Sequence, residues 1–298
     1  MLTLSYTHGV HRLTRDTQCS GNGAAATHCR LTAVFSALFL LVAWAGHALL
    51  PALPVGSLWL GALLGLGLLL LFLVAALGLI LSVVRLELGP WVQLGGAAAA
   101  AGLVLATRKL GLAPLADYLV VVAASLFGCL VARLIREPNL LVPVAVVAGL
   151  VDFWGVYWGF VAHISKTAPQ VVQSFSSAVP TPAATGLPLP GLSAMGIGDF
   201  LFTALYLGAV WRLGMRTLRT AGAIFVAVLF SPLAFWLVPL VTHRPLEALP
   251  GLPFIGAGLL VANWRDFRIS REEKFALLWA ALVAGVVVGL YLLLRRAF

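Results

Sequence analysis

The chain has 298 residues, 61% hydrophobic and only 10% charged, with a mean hydropathy of +1.04. A soluble domain carries about 25% charged residues, so an ordinary water-soluble globule is excluded. The net charge of +9 is scattered singly through short segments, which reads as a membrane topology signal and not as a nucleic-acid surface. The three cysteines, Cys19, Cys29 and Cys129, form no CxxC pair. Together with His8, His11 and His28 they match no standard metal spacing, so no disulfide framework, metal or cofactor is expected.

Residues 1–30 are polar and aperiodic and read as a disordered tail. Beyond them, apolar stretches at 31–50, 57–83, 91–107, 113–135, 139–162, 192–211, 220–242, 248–264 and 275–294 are each long enough for a bilayer span. The expected fold is all-α, a polytopic membrane protein of about nine helices. A transmembrane barrel would instead show strands of about ten residues with alternating polarity. The first four helices, 31–135, read as a scaffold, and 139–298 as the functional part. Within the latter lies a Pro-, Ser- and Thr-rich loop at 164–191, a length between helices that usually marks function or mobility. With the N-terminus inside, thirteen of the 19 Lys and Arg residues fall on the inner side, the pattern that sets orientation. The loop and the C-terminus are then outside. Short loops and the lack of a glycosylation sequon point to a prokaryotic cytoplasmic membrane.

Most of the ten acidic residues sit at helix ends or in loops, among them Asp117 and Glu87. Asp152 and Asp199 do not: each lies inside an apolar run, and no Lys, Arg or His stands mid-helix to neutralise it. An unpaired acid at that depth costs at least about 2.5–3.5 kcal/mol, so each is a functional candidate. The economical arrangement is for the two to face each other and share one proton. Gly149, Asp152, Gly155 and Gly159 fall on one helical stripe that lets a neighbouring helix come close. Before the second acid, Gly196-Ile197-Gly198 can expose backbone groups.

Asp152 in Val-Asp-Phe-Trp, then Gly-Ile-Gly-Asp199 one helix later, resembles the GxGD intramembrane aspartyl proteases, the presenilin and signal peptide peptidase family. The family's Pro-Ala-Leu element two helices later has its counterpart in Pro250-Gly251-Leu252-Pro253. The Phe-Trp pair is closer to the signal peptide peptidase version of the first motif. Val151 stands where the family has an aromatic, and Gly251 replaces the motif's Ala. A literal Pro51-Ala52-Leu53-Pro54 between the first two helices is out of the family's motif order. The likeness covers 139–264, with the acids in helices five and six and the Pro element in eight, against six, seven and nine in the family.

The resemblance implies a presenilin-like bundle and an endopeptidase that cuts transmembrane segments or signal peptides within the lipid bilayer. Asp152 and Asp199 would be its catalytic dyad. Gly196, Ile197, Gly198, Pro250, Gly251, Leu252 and Pro253 would bind an unwound substrate as an added strand. Trp154 is placed to wall the dyad. Thr203 and Tyr206 lie on the face of Asp199, supporting it or simply packing. His47 and His163 read as interfacial. The main alternative is a proton-coupled transporter built on the same buried acids. No internal repeat is visible in its favour. Substrate identity and oligomeric state are not written in the sequence.

Overall fold

The structure is a computed structural model that describes residues 10–48, 58–157, 167, 176–178, 194–231 and 249–268. Its elements are α1 (Val10–Ala48), α2 (Leu58–Arg85), α3 (Pro90–Lys109), α4 (Ala113–Ala132), a 3-10 turn (Pro138–Leu140) and α5 (Leu141–Tyr157). There follow two short strands, β1 (Ser176–Ala178) and β2 (Ala194–Gly196), then α6 (Ile197–Arg212), α7 (Thr217–Phe230) and α8 (Leu252–Asn263). Among the described residues, five helical segments are long and apolar enough to cross a membrane: Thr27–Ala48, Leu66–Arg85, Pro90–Lys109, Ala113–Ala132 and Pro138–Val156. Helices α7 and α8 are apolar and shorter as described. The expected span at 275–294, the far ends of 139–162 and 220–242, and most of the 164–191 loop lie outside the described residues.

Helix α1 starts at Val10 and so takes in most of the polar segment set apart at 1–30. Its apolar part begins at Thr27, close to the expected start of the first span. The predicted span at 192–211 divides differently: Ala194–Gly196 is strand, and the helix begins at Ile197. Gly196 is extended, at φ −70° and ψ 152°, and serves as the N-cap of α6. Helix α8 starts at Leu252, after Pro250 and an N-cap Gly251 that already has helical dihedrals, φ −84° and ψ −35°. Pro90, Pro114 and Pro253 each occupy the first turn of a helix, where the missing N–H breaks no hydrogen bond.

Helix α4 runs through the centre, against α3 on one side and α6 on the other. Short turns set these partners. Gly111 has φ 74° between α3 and α4, where Leu112 N–H reaches back to Thr107 O at 2.9 Å. Gly214 has φ 68° after α6, with Met215 N–H on Val210 O at 2.9 Å. Both are the left-handed helix stops that glycine adopts without strain.

Small residues set the helix spacing, as in other membrane bundles. A Cβ on Gly128 of α4 would strike Leu201 O and lie 2.8 Å from Ala204 Cβ on α6. A Cβ on Gly258 of α8 would lie 2.8 Å from Ile224 Cα and 2.9 Å from Ala223 O on α7. Asn263 locks the same pair, donating to Thr220 Oγ1 at 2.8 Å. At the far side of α8, Gly256 faces Ala145 of α5. Asn139, ahead of α5, exchanges two 2.9 Å bonds with Arg268 beyond α8. Helix α8 is thereby wedged between α5 and α7, which fixes where its first turn points.

Because the atoms facing Gly258 are backbone, neither helix can yield locally. Gly258→Ala is expected to destabilise the fold by about 1–3 kcal/mol, the usual cost of overpacking. Thermal unfolding in detergent checks this, with Gly222→Ala on α7, which has open space for a Cβ, as the neutral control.

Candidate active site

Asp199 is the third residue of α6, and its Oδ2 accepts the Gly196 N–H at 3.2 Å. The sequence placed this acid inside a helix; the structure places it in the first turn. There the amides have no intrahelical partners and the helix dipole favours a negative group. Asp152 lies on α5, eleven residues after the helix start at Leu141, and reaches across to α8. Its Oδ2 accepts the Leu252 N–H at 3.0 Å. Leu252 is the first residue of α8, so Asp152 satisfies one of that helix's orphan amides from a neighbouring helix.

The two acids meet on the same short piece of chain. A Cβ added to Gly251 would collide with Asp199 Oδ1 and lie 2.9 Å from its Cγ and 3.1 Å from Oδ2. The Asp199 carboxylate thus occupies the volume that an alanine methyl would take, directly beside the peptide whose Leu252 N–H binds Asp152. Gly149, one helical turn before Asp152, faces Pro253: a Cβ there would sit 3.5 Å from Pro253 Cα. Gly149 and Asp152, two members of the stripe read on α5, therefore face α8. Asp152, Asp199, Gly196, Gly251, Leu252 and Pro253 are all drawn together, while Ile197 and Gly198 form the first turn of α6.

Beside Asp152 opens a cavity of about 660 Å³, lined by Val147, Val151, Trp154, Phe202 and Leu252 among others. Val151 is 60% exposed and Trp154 43%. An apolar hollow ending at a carboxylate can hold an aliphatic chain with one polar group at its inner end. Trp154 lines this hollow. Thr203 donates back to Asp199 O at 2.7 Å, a bond internal to the helix. Tyr206 is fully buried, with its ring 5.9 Å from Phe202. Both act as packing residues.

What holds β2 was not read from the sequence. Strand β1 pairs antiparallel with β2, placing Ser176 opposite Gly196. Arg108 Nη2, at the end of α3, donates to Ser176 O at 2.7 Å and to Asp117 Oδ1 at 2.7 Å. Asp117, on α4, is fully buried, and its other oxygen accepts His47 Nε2 of α1 at 2.9 Å. Asp117 and His47 both stand near helix ends, as read from the sequence, and with Arg108 they form a hub around the buried Asp117 carboxylate that joins α1, α3, α4 and the strand that flanks the Gly196 segment. The usable signal was an Arg and an Asp on either side of the tight Gly111 turn.

Family models give no match to this chain, and neither curated proteins nor solved structures give one.

Removing one partner from a buried ion pair leaves the other charge uncompensated, at a cost of about 3–5 kcal/mol. Arg108→Gln is expected to lose stability on that scale and to speed amide exchange at Met195 and Gly196. Hydrogen exchange with mass spectrometry reads both; unchanged protection would mean that the hub does not hold the strand.

Proposed function

We propose that the protein is an intramembrane aspartyl endopeptidase of the GxGD type, with Asp152 and Asp199 as its dyad. The observation that carries this reading is the convergence of both carboxylates on Gly251-Leu252. Capping a helix start accounts for either hydrogen bond singly. It does not account for two acids from different helices meeting at one peptide, in the order and spacing of the three motifs. The transporter alternative uses the same acids but assigns no role to Pro250-Gly251-Leu252-Pro253.

Two carboxyls this close in a poorly solvated site share one proton. The ionised member removes a proton from a water molecule, whose oxygen attacks the scissile carbonyl carbon. The protonated member donates to the carbonyl oxygen, giving a neutral tetrahedral diol. Its collapse breaks the C–N bond, the departing nitrogen takes a proton from the dyad, and a carboxylic acid and an amine leave. The assignment of first base belongs to the pair, not to one residue.

A transmembrane substrate hides its carbonyls in helical bonds, so it must unwind, and its freed groups need partners. Strand β2 offers extended backbone for an added strand, next to the start of α8 that Pro250 keeps irregular. The apolar hollow next to Asp152 suits a large aliphatic side chain beside the cut. Substrates are therefore transmembrane helices or signal peptides, cut within the membrane of a prokaryotic cell.

Cleavage of a helical reporter in liposomes is expected for the wild type and abolished in Asp152→Ala and in Asp199→Ala. Retained cleavage in either variant removes the dyad. In Gly251→Ala the new methyl must push the Asp199 carboxylate aside, and a misplacement of about 1 Å costs on the order of 10²-fold in rate. Its turnover is accordingly expected to fall while the protein stays folded.

A further inference from the structure

A second cavity, of about 490 Å³, opens between the ends of α2, α3, α4 and α6. It lies about 20 Å along α6 from Asp199, by the helical rise over the intervening residues. Its lining is polar and cationic, with Arg133, Arg212, Gln93, Glu87 and Trp211 around it. Arg85, the last residue of α2, stands beside it with its guanidinium carbon 5.7 Å from the Trp211 ring centre.

These groups are held in place. Arg133 Nε donates to Gln93 Oε1 at 2.9 Å, and its Nη2 donates to Leu88 O at 2.5 Å. Gln93 is itself only 5% exposed. Two of the five guanidinium hydrogens of Arg133 are thus spent on orientation, which leaves three N–H donors for another acceptor. Glu87 accepts Trp211 Nε1 at 3.0 Å, so the one acid of the lining is engaged against the ring. Arg85 Nε is shielded from solvent and has no partner among the described residues. Two arginines of the lining, with Arg85 stacked on Trp211 beside them, stand against one glutamate.

A cation near a helix C-terminus is favoured by the local carbonyls, which accounts for an arginine at the ends of α2, α4 and α6. It does not account for a buried glutamine fixing one of them, or for an open volume between them. A planar guanidinium with free N–H groups is suited to phosphate oxygens. The cavity lies at the level of helix ends, where lipid phosphates sit, and basic pockets between transmembrane helices bind anionic head groups.

We infer that this cavity is a phosphate-binding site, formed by Arg133 and Arg212 with Arg85 stacked on its Trp211 wall, that takes the head group of an anionic phospholipid. It stands independently of the peptidase reading. The full chain, purified in neutral detergent, is titrated with phosphatidylglycerol, phosphatidylcholine or inorganic phosphate and followed by native mass spectrometry and thermal unfolding. Phosphatidylglycerol is expected to bind and raise the melting temperature, with phosphatidylcholine far weaker. Arg133→Gln is expected to weaken binding by about tenfold or more, the loss of a charge-assisted hydrogen bond. Arg212→Gln, an exposed residue without a described structural bond, tests the site even if Arg133→Gln fails to fold, and is expected to weaken binding severalfold. Arg219→Gln, exposed on α7, controls for overall charge and is expected to bind like the wild type. Inorganic phosphate matching phosphatidylglycerol would keep the phosphate site and assign it to a soluble ligand. Equal binding of both lipids, or equal loss in Arg212→Gln and Arg219→Gln, would overturn the proposal.

Discussion

A carboxylate inside an apolar bundle needs hydrogen-bond donors, and a regular helix has none to spare, because each interior amide is already bonded four residues back. Only helix starts have free amides. That constraint explains the local geometry around both acids. Asp199 is served by Gly196 at the strand-to-helix junction, and Asp152 by Leu252 at the first residue of α8. Pro250 and the extended Gly196 keep those starts open, since proline carries no amide and an extended residue contributes no helical turn. The interrupted helices are therefore the condition under which the acids can be inside at all.

Placing two such junctions together demands accurate helix spacing. Gly128 and Gly258 allow α6 and α7 to approach their neighbours to backbone contact, and Gly251 leaves room for the Asp199 carboxylate. Hydrogen bonds extend the support outward. His47 and Arg108 hold Asp117, Arg108 also holds Ser176, Ser176 stands opposite Gly196 in the strand pair, and Gly196 holds Asp199. A fully buried aspartate, held by one guanidinium and one imidazole, is costly in isolation. Here it ties three helices of the N-terminal half to the strand beside the acids.

Much of the site was legible because its residues violate the surrounding pattern. Acids in apolar runs and a proline pair at a helix start stand out in any hydropathy profile, and the 3–4 spacing of Gly149 and Asp152 marked one face of α5, which the structure turns toward α8. The scaffold helices at 57–83, 91–107 and 113–135 came within a few residues of α2, α3 and α4. What hydropathy could not show was secondary structure inside an apolar run: Ala194-Met195-Gly196 is as apolar as the helix it precedes, yet pairs as a strand with Ser176–Ala178. The Asp117 hub was hidden for another reason. Its partners at 47, 108 and 176 come together only through tertiary packing, and each taken alone looks like an ordinary helix-end residue.

The most direct test of the account is a dipolar-coupling distance by solid-state NMR in lipid membranes, with labelled Asp carboxyl carbons and labelled Gly and Leu amides. A hydrogen bond from Leu252 N–H to the Asp152 carboxylate requires that nitrogen and that carbon to lie within about 4 Å, and the Asp199 carboxyl to lie in contact with Gly251. Short distances for both are the predicted result. Either acid found out of reach of Gly251-Leu252 would contradict the convergence on which the proposed chemistry rests.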